Sequence, residues 1–292
     1  MTAVDPTARP DVARIRVTEG GIKQDLRAIK VVMLREWIRF RQDKIRIVSA
    51  MVQPVLFIFV LGTGLSAMRG GVQPGGVDFR TFMFPGVLAT SVLFTAVFSA
   101  MSIVWDREFG FLREMLVAPV RRSSIIIGKA LGGALVATLQ GMLVLVLAPL
   151  VGVPYNPIMI AKLVVEIFLL SFTLCAMGLV MAARIQQMQT MMGIMQMVLL
   201  PLSFLSGALY PINNLPTWLH TLVMINPVTY AVHAVRTTVF AYIDVPQVAK
   251  DALNPPLTWN GWVVPIGVQL GVVLVLGLAL LYVAAKQFEK AE

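Results

Sequence analysis

The sequence is short of charge and almost lacks the residues that build metal and redox sites. Asp, Glu, Lys and Arg make up 13% of its 292 residues, against about 25% in soluble domains. Its one cysteine, Cys175, lies inside an apolar run, which excludes a disulfide framework and a thiolate metal site. Two histidines, His220 and His233, have no acidic residue close to them in sequence, a poor beginning for a zinc or hydrolytic centre. Internal repeats and low-complexity tracts are missing as well. Gly128-Lys129 has the look of a phosphate loop, but Ser123 stands where glycine is needed and Ala130 where Ser or Thr is needed. The chain is therefore expected to be neither an ATPase nor any other enzyme, and to bind no metal or cofactor itself.

What remains is apolar. Hydrophobic residues reach 58% and the mean hydropathy is +0.80. They fall in blocks long enough to cross about 30 Å of hydrocarbon as helices. Six spans are read, at 46–67, 82–104, 130–152, 160–183, 190–209 and 262–285. Pro54, Pro149, Pro201 and Pro265 interrupt four of them, which membrane helices tolerate. The expected fold is an all-α polytopic membrane protein. Its outer segment, 210–261, holds short helices broken at Asn226-Pro227.

The net charge of +9 does not point to nucleic acid, because of where it sits. Eleven of the 24 Lys and Arg lie in residues 1–46, and five more in 105–129. Both stretches flank apolar spans, where positive charge sets orientation and meets anionic lipid. The asymmetry places both termini in the cytoplasm. Some 45 polar residues precede the first apolar run, unlike a cleaved signal. Two parts follow, a cytoplasmic tail with a connecting helix at 1–45 and a six-span domain at 46–292.

Within the first part, Ile22, Leu26, Ile29, Met33, Trp37 and Phe40 recur at helical period. Lys23, Arg27, Lys30 and Arg41 group on one flank, and Asp25, Glu36 and Asp43 on the other. Such a helix is expected to lie in the inner interface, its apolar face in the acyl boundary and its basic residues toward headgroups.

Between the second and third spans, residues 105–129 alternate charge with Phe109, Phe111, Leu112, Met115 and Leu116 until Pro119 ends the helical pattern. Composition alone leaves two readings open, a knob that docks on a cytoplasmic partner and a solvated connection. Arg107-Glu108-x-Gly110, Met115-Leu116, Ala118-Pro119-Val120, Arg122 and Gly128-Lys129 resemble the signature loop of type-2 ABC exporter permeases. The daunorubicin-type drug-resistance and nodulation-factor export group is the nearest within them. The resemblance extends to Gln53-Pro54, to Phe84-Pro85-Gly86 and to the stretch 206–236.

That resemblance implies six spans after an interfacial helix, and a coupling helix within 105–129 that seats in a nucleotide-binding subunit. Arg107, Glu108, Gly110, Met115, Leu116, Ala118, Pro119 and Arg122 would make that contact. It also implies a second permease copy or a sister permease, and two partner subunits that hold ATP and magnesium. The setting would be a bacterial cytoplasmic membrane, and the task export of a hydrophobic or amphipathic compound, as in drug efflux and multidrug resistance. Export of a polysaccharide or lipid-linked glycan is a second reading. A membrane enzyme or scaffold without transport is a third.

Three features suggest a route for cargo. Ser91 and Thr95 share a face of the second span with Ser99 and Ser102, a pattern that equally marks close helix packing. In the fifth span Gln189, Gln196 and Ser203 repeat every seven residues among flexible methionines. Glu166 is an intramembrane carboxylate, a functional candidate by its cost. Lys162, one turn earlier on the same face, makes an ion pair the alternative account.

Overall fold

The computed structural model describes residues 21–68, 77–111, 121–212, 215–244, 246–259 and 261–291. Helix α1 (Ile22–Gln42) precedes α2 (Lys44–Val55), a π-helical turn (Leu56–Leu61) and α3 (Gly62–Met68), which run on as one apolar rod. Then come α4 (Phe79–Ala100), α5 (Ser102–Glu108), α6 (Arg122–Leu145), α7 (Pro157–Ala182) and α8 (Met188–Phe204). The segment between α8 and the last helix carries α9 (Thr217–Ile225), α10 (Pro227–Ala241), α11 (Gln247–Leu253) and a small hairpin, β1 (Thr258–Trp259) with β2 (Trp262–Val263). Helix α12 (Ile266–Ala291) closes the chain.

Among the described residues, five rods are long and apolar enough to cross a membrane: Lys44–Ala67, Phe79–Glu108, Arg122–Leu145, Pro157–Ala182 and Ile266–Lys290. Helix α8 is equally apolar but has 17 residues, about 26 Å at 1.5 Å per residue. The α4–α5, α6 and α7 rods pack on one another and form the core, while the first rod and α12 stay mostly exposed. Their outward side chains are apolar, Val48, Val52 and Val60 on one and Val275, Leu278 and Val283 on the other. A soluble protein does not present such faces to water. Hydroxyls inside the rods donate to their own helix: Thr138 to the Ala134 carbonyl (2.7 Å) and Ser171 to that of Ile167 (2.7 Å). With no water in hydrocarbon, this is how a hydroxyl stays satisfied.

Two boundaries differ from the expectation. The third rod begins at Arg122 and not near 130, and the second runs on to Glu108. Residues 105–108 and 122–129 are therefore helical extensions of the spans and not loop. A charge run in the sequence looked like solvated chain because the ion pairs that let it enter the bundle come from elsewhere. Of the four prolines, Pro54 and Pro201 do sit inside helices. Pro149 instead lies in a 3-10 turn after α6, and Pro265 just before α12. Met115, Leu116, Ala118 and Pro119 lie outside the described residues.

Helix α1 is docked on protein, which corrects the reading of its apolar stripe as lipid-facing throughout. Val32, Glu36 and Phe40 are its buried residues, whereas Ile22 and Leu26 are exposed. Ile29, Met33 and Trp37 are half-buried. The reason is a glycine face on α6. A Cβ at Gly128 would press on Val32 and Ile29, and one at Gly132 on Glu36 and Met33, so glycine at both positions lets the two helices approach this closely. Asp25 fixes the other end by accepting from the Ser124 hydroxyl (2.9 Å) in the first turn of α6, where an acid suits the helix dipole. Val31, Leu34 and Ile38 look outward, on the side that also carries Arg27, Lys30 and Arg41.

Gly132→Leu should lift α1 from α6 and lower stability by about 1–3 kcal/mol, the range for overpacked contacts. Thermal unfolding of the purified chain in detergent measures it. An unchanged melting temperature would mean the two helices are not in contact.

Candidate functional site

The site begins with a buried charge. Lys129 on α6 is 3% exposed. Its ammonium donates to Glu36 Oε1 of α1 (3.2 Å), to Ser102 Oγ of α5 (2.9 Å) and to Asp106 Oδ2 of α5. Those bonds use all three ammonium protons. Arg35 donates to the same Asp106 oxygen and lies 3.8 Å from Glu36. Two cations thus meet two carboxylates, and three helices are tied at one point.

Just beyond, the end of α5 is stitched to the junction of α7 and α8. Arg107 donates to the carbonyls of Ile185 (2.8 Å), Ala182 (3.2 Å) and Ala183 (3.4 Å), at and just past the C-terminus of α7, where carbonyls lack partners from a following helical turn. Glu108 accepts the backbone N–H of Met188 (3.0 Å), the first residue of α8. A cation thus meets a helix C-terminus and an anion a helix N-terminus, the favourable sense of both dipoles. Gly110 follows at φ +81°, a left-handed conformation that glycine adopts without strain. Arg122 opens α6 on the other side of the residues outside the description.

Beside the charged seam lies a cavity of about 410 Å³ between α1, α2, α4, α5 and the start of α8, within the usual range of small-molecule sites. Phe94, Phe98 and Trp105 give it aromatic wall, and Met188 and Met192 flexible apolar wall. Ser91 and Thr95 line it too, with their protons given to the carbonyls of Val87 (2.7 Å) and Ser91 (3.0 Å).

The other sequence candidates lie apart. Gln189 and Gln196 are exposed on the outward face of α8, and Ser203 is buried toward its far end. Glu166 is 4% exposed and accepts from the Thr238 hydroxyl of α10 (2.6 Å). The expected pair with Lys162 is not formed; that ammonium lies over the Tyr242 ring at 5.8 Å. Burial turns the carboxylate toward α10, while the exposed lysine has an aromatic face within reach. His233 is held by Gln269 and the Pro255 carbonyl, each at 3.0 Å, so both its ring nitrogens are occupied.

Within the described part of 206–236, α10 is tied to the turn at Gly207 and Ala208 and to the end of α8. Arg236 is 3% exposed, donates to the carbonyls of Gly207 and Ala208 (3.0 Å each) and lies 4.6 Å from the Phe82 ring. Gly86 meets the Ala208 carbonyl so closely that no side chain fits there. Asn226 caps α10 through Val228 N (3.0 Å) and donates to the Leu202 carbonyl (2.8 Å).

Sequence reasoning missed the partners of Lys129 and missed Gln140, which also lines the cavity. A signal existed for both, since each is a lone polar residue within an apolar run. Such a residue implies a partner or a polar cavity.

Long apolar rods, hydroxyls bonded within their own helices and apolar outer faces define a multi-pass membrane protein. The chain belongs to the ABC-2 type transporter family, whose model matches residues 27–240. Members of that family are the transmembrane subunits of ABC exporters, partnered by an ATP-binding subunit, and are generally not enzymes themselves. The chain is 26% identical over 210 residues to the ycf38 transport permease of Cyanophora paradoxa, covering 70% of this chain and 72% of that one. It is 27% identical over 222 residues to nodulation protein J of Rhizobium leguminosarum bv. trifolii, covering 74% and 83%. It is 28% identical over 192 residues to the permease YbhR of Escherichia coli K12, covering 63% of this chain and 48% of that one.

Lys129→Met should leave two buried carboxylates short of a counter-charge and cost about 3–5 kcal/mol. Adding Glu36→Leu and Asp106→Leu should recover much of that loss, because no fully buried charge is then left unpaired and the side chain of Arg35, 40% exposed, can turn to solvent. Thermal unfolding of the single and triple variants checks both, and a single variant as stable as the parent would contradict the network.

Proposed function

We propose that this chain is the permease of a bacterial exporter that carries hydrophobic or amphipathic compounds, such as drugs or lipid-like metabolites, outward across the cytoplasmic membrane. The observation that carries the reading is the cavity beside the charged seam. It is of ligand size and joins aromatic, thioether and hydrogen-bonding walls, as a site for varied amphipathic cargo requires. The similarity to YbhR, described as a probable multidrug ABC transporter permease, points the same way.

In this reading α8 is the fifth of six spans, both termini face the cytoplasm and the outer helices α9 and α10 re-enter the outer leaflet. The chain works with a second copy or a sister permease, against which the outward Gln189 and Gln196 face the central path, with Ser203 beyond them. Lipid meets the outward stripe of α1. ATP and magnesium belong to the partner subunits, which contact the segment around Arg107, Glu108, Gly110 and Arg122 and on through 115–119. ATP-driven closure of those subunits would push on α5. Arg107 and Glu108 would pass the push to the α7–α8 junction, which borders the cavity at Met188.

Two measurements test this. Glu108→Arg sets a cation against the N-terminus of α8, reversing a dipole interaction of about 1 kcal/mol. Permease-stimulated ATPase activity and co-purification of the ATP-binding subunit should both fall, with membrane insertion intact. If neither changes, this end of α5 does not couple. Gln196→Leu should alter which compounds are exported at unchanged expression; an unaltered profile with lower stability would assign the residue to helix packing.

A further inference from the structure

The cavity is graded along its length. Ser91 and Trp105, at its two ends on the second rod, are about 21 Å apart along the helix axis. Gly141 abuts Val92, so the neighbouring Gln140 lies level with the Ser91 end, near the middle of the rod. Gln140 is 1% exposed, and neither its Oε1 nor its Nε2 has a partner among the described residues. A buried amide left this way costs about 1–3 kcal/mol, and no packing requirement calls for it: the α6 run around it is apolar. At the other end stand Arg39 and Arg46, with no carboxylate in ion-pair range among the described residues. Arg39 instead lies over the Trp105 ring at 5.7 Å. The one acid in the lining, Glu36, is already engaged by Lys129. Asp43 stands outside the lining, where its Oδ1 accepts the Arg46 backbone N–H (2.9 Å). The uncompensated charge of the lining is therefore positive, and the deep end offers the NH2 and carbonyl of Gln140 beside the accepting oxygens of Ser91 and Thr95.

From this we infer that the cavity selects elongated acidic amphiphiles, holding the anionic head at Arg39 and Arg46 and a carbonyl, amide or hydroxyl of the body at Gln140. The inference rests on the export reading only for the fate of the ligand; the site itself stands without it. Gln140 is the specificity-determining residue of the deep end. Its donor and acceptor discriminate against a plain hydrocarbon, which would leave both unmet. The two arginines discriminate against neutral and cationic molecules. The aromatic and methionine walls between them accept varied apolar bodies.

The test uses the full chain in phosphatidylcholine nanodiscs with 11-(dansylamino)undecanoic acid and its methyl ester, read by dansyl fluorescence above that of empty discs. The acid should bind more tightly than the ester. Arg39→Gln with Arg46→Gln should weaken the acid about tenfold and leave the ester unchanged. Gln140→Leu should weaken both about fivefold to tenfold, and Gln140→Asn should weaken them less. Equal binding of acid and ester, or full affinity in Gln140→Leu, overturns the assignment. Should the variants not fold, an azide-bearing analogue on the parent chain decides, by labelling the 91–105 peptide or by labelling only elsewhere. Discs containing phosphatidylglycerol identify the source of the head. Displacement of the probe assigns the site to a bilayer lipid, and persistence assigns it to a single-chain solute; both keep an acidic amphiphile. ATP-driven uptake into inside-out vesicles with the ATP-binding subunit separates the two readings. Binding as expected without uptake removes the export route and leaves the site. Uptake that ignores all three residues removes the site and leaves export.

Discussion

The ammonium of Lys129, buried among Glu36, Ser102 and Asp106, is the constraint around which the end of the bundle nearest α1 is arranged. A lone charge at that depth could not be borne, so its partners have to be present together. Because they come from α1, α5 and α6, the connecting helix cannot drift from the bundle without breaking the network. The glycines at 128 and 132 let the backbones approach closely enough for the carboxylate of Glu36 to reach. The interaction thus serves specificity of arrangement as much as stability, since an apolar contact of equal area would tolerate sliding.

The same logic recurs where helices end. Arg107 and Glu108 use full charges on the terminal carbonyls of α7 and the first N–H of α8, in place of the water a soluble helix would use. Arg236 does the equivalent for the turn at Gly207 and Ala208. Each is a long cationic or anionic side chain whose head meets backbone, so the ends of the bundle are stiff. A stiff end carries motion well, which suits the coupling role proposed for α5. The cavity differs from these tied helix ends. Its amide at Gln140 is left open, and its methionines are among the most adaptable side chains. Rigid ends around an adaptable chamber suit a device that must accept several cargoes yet respond to one input.

The membrane class, the positions of most apolar rods, the helical outer segment with its break at Asn226 and the family were all legible in the residues themselves. They depend on hydrophobic run length, on helical period and on local proline and asparagine chemistry, which are properties of neighbouring residues. Helix α1 was legible as a helix for the same reason. Its docking was not, because a single period cannot say which of two faces meets protein. Nor could the chain show that the run at 122–129 enters the bundle. Tertiary structure decided that, by bringing Glu36 and Asp106 to Lys129 across separations no local pattern encodes. It likewise gave Glu166 to Thr238 and Lys162 to Tyr242, although their spacing on one helix favours each other. Tertiary structure alone set Gln140 in one cavity with Ser91, Arg39 and Arg46, since whether a buried amide faces a packed neighbour or a cavity depends on three helices at once.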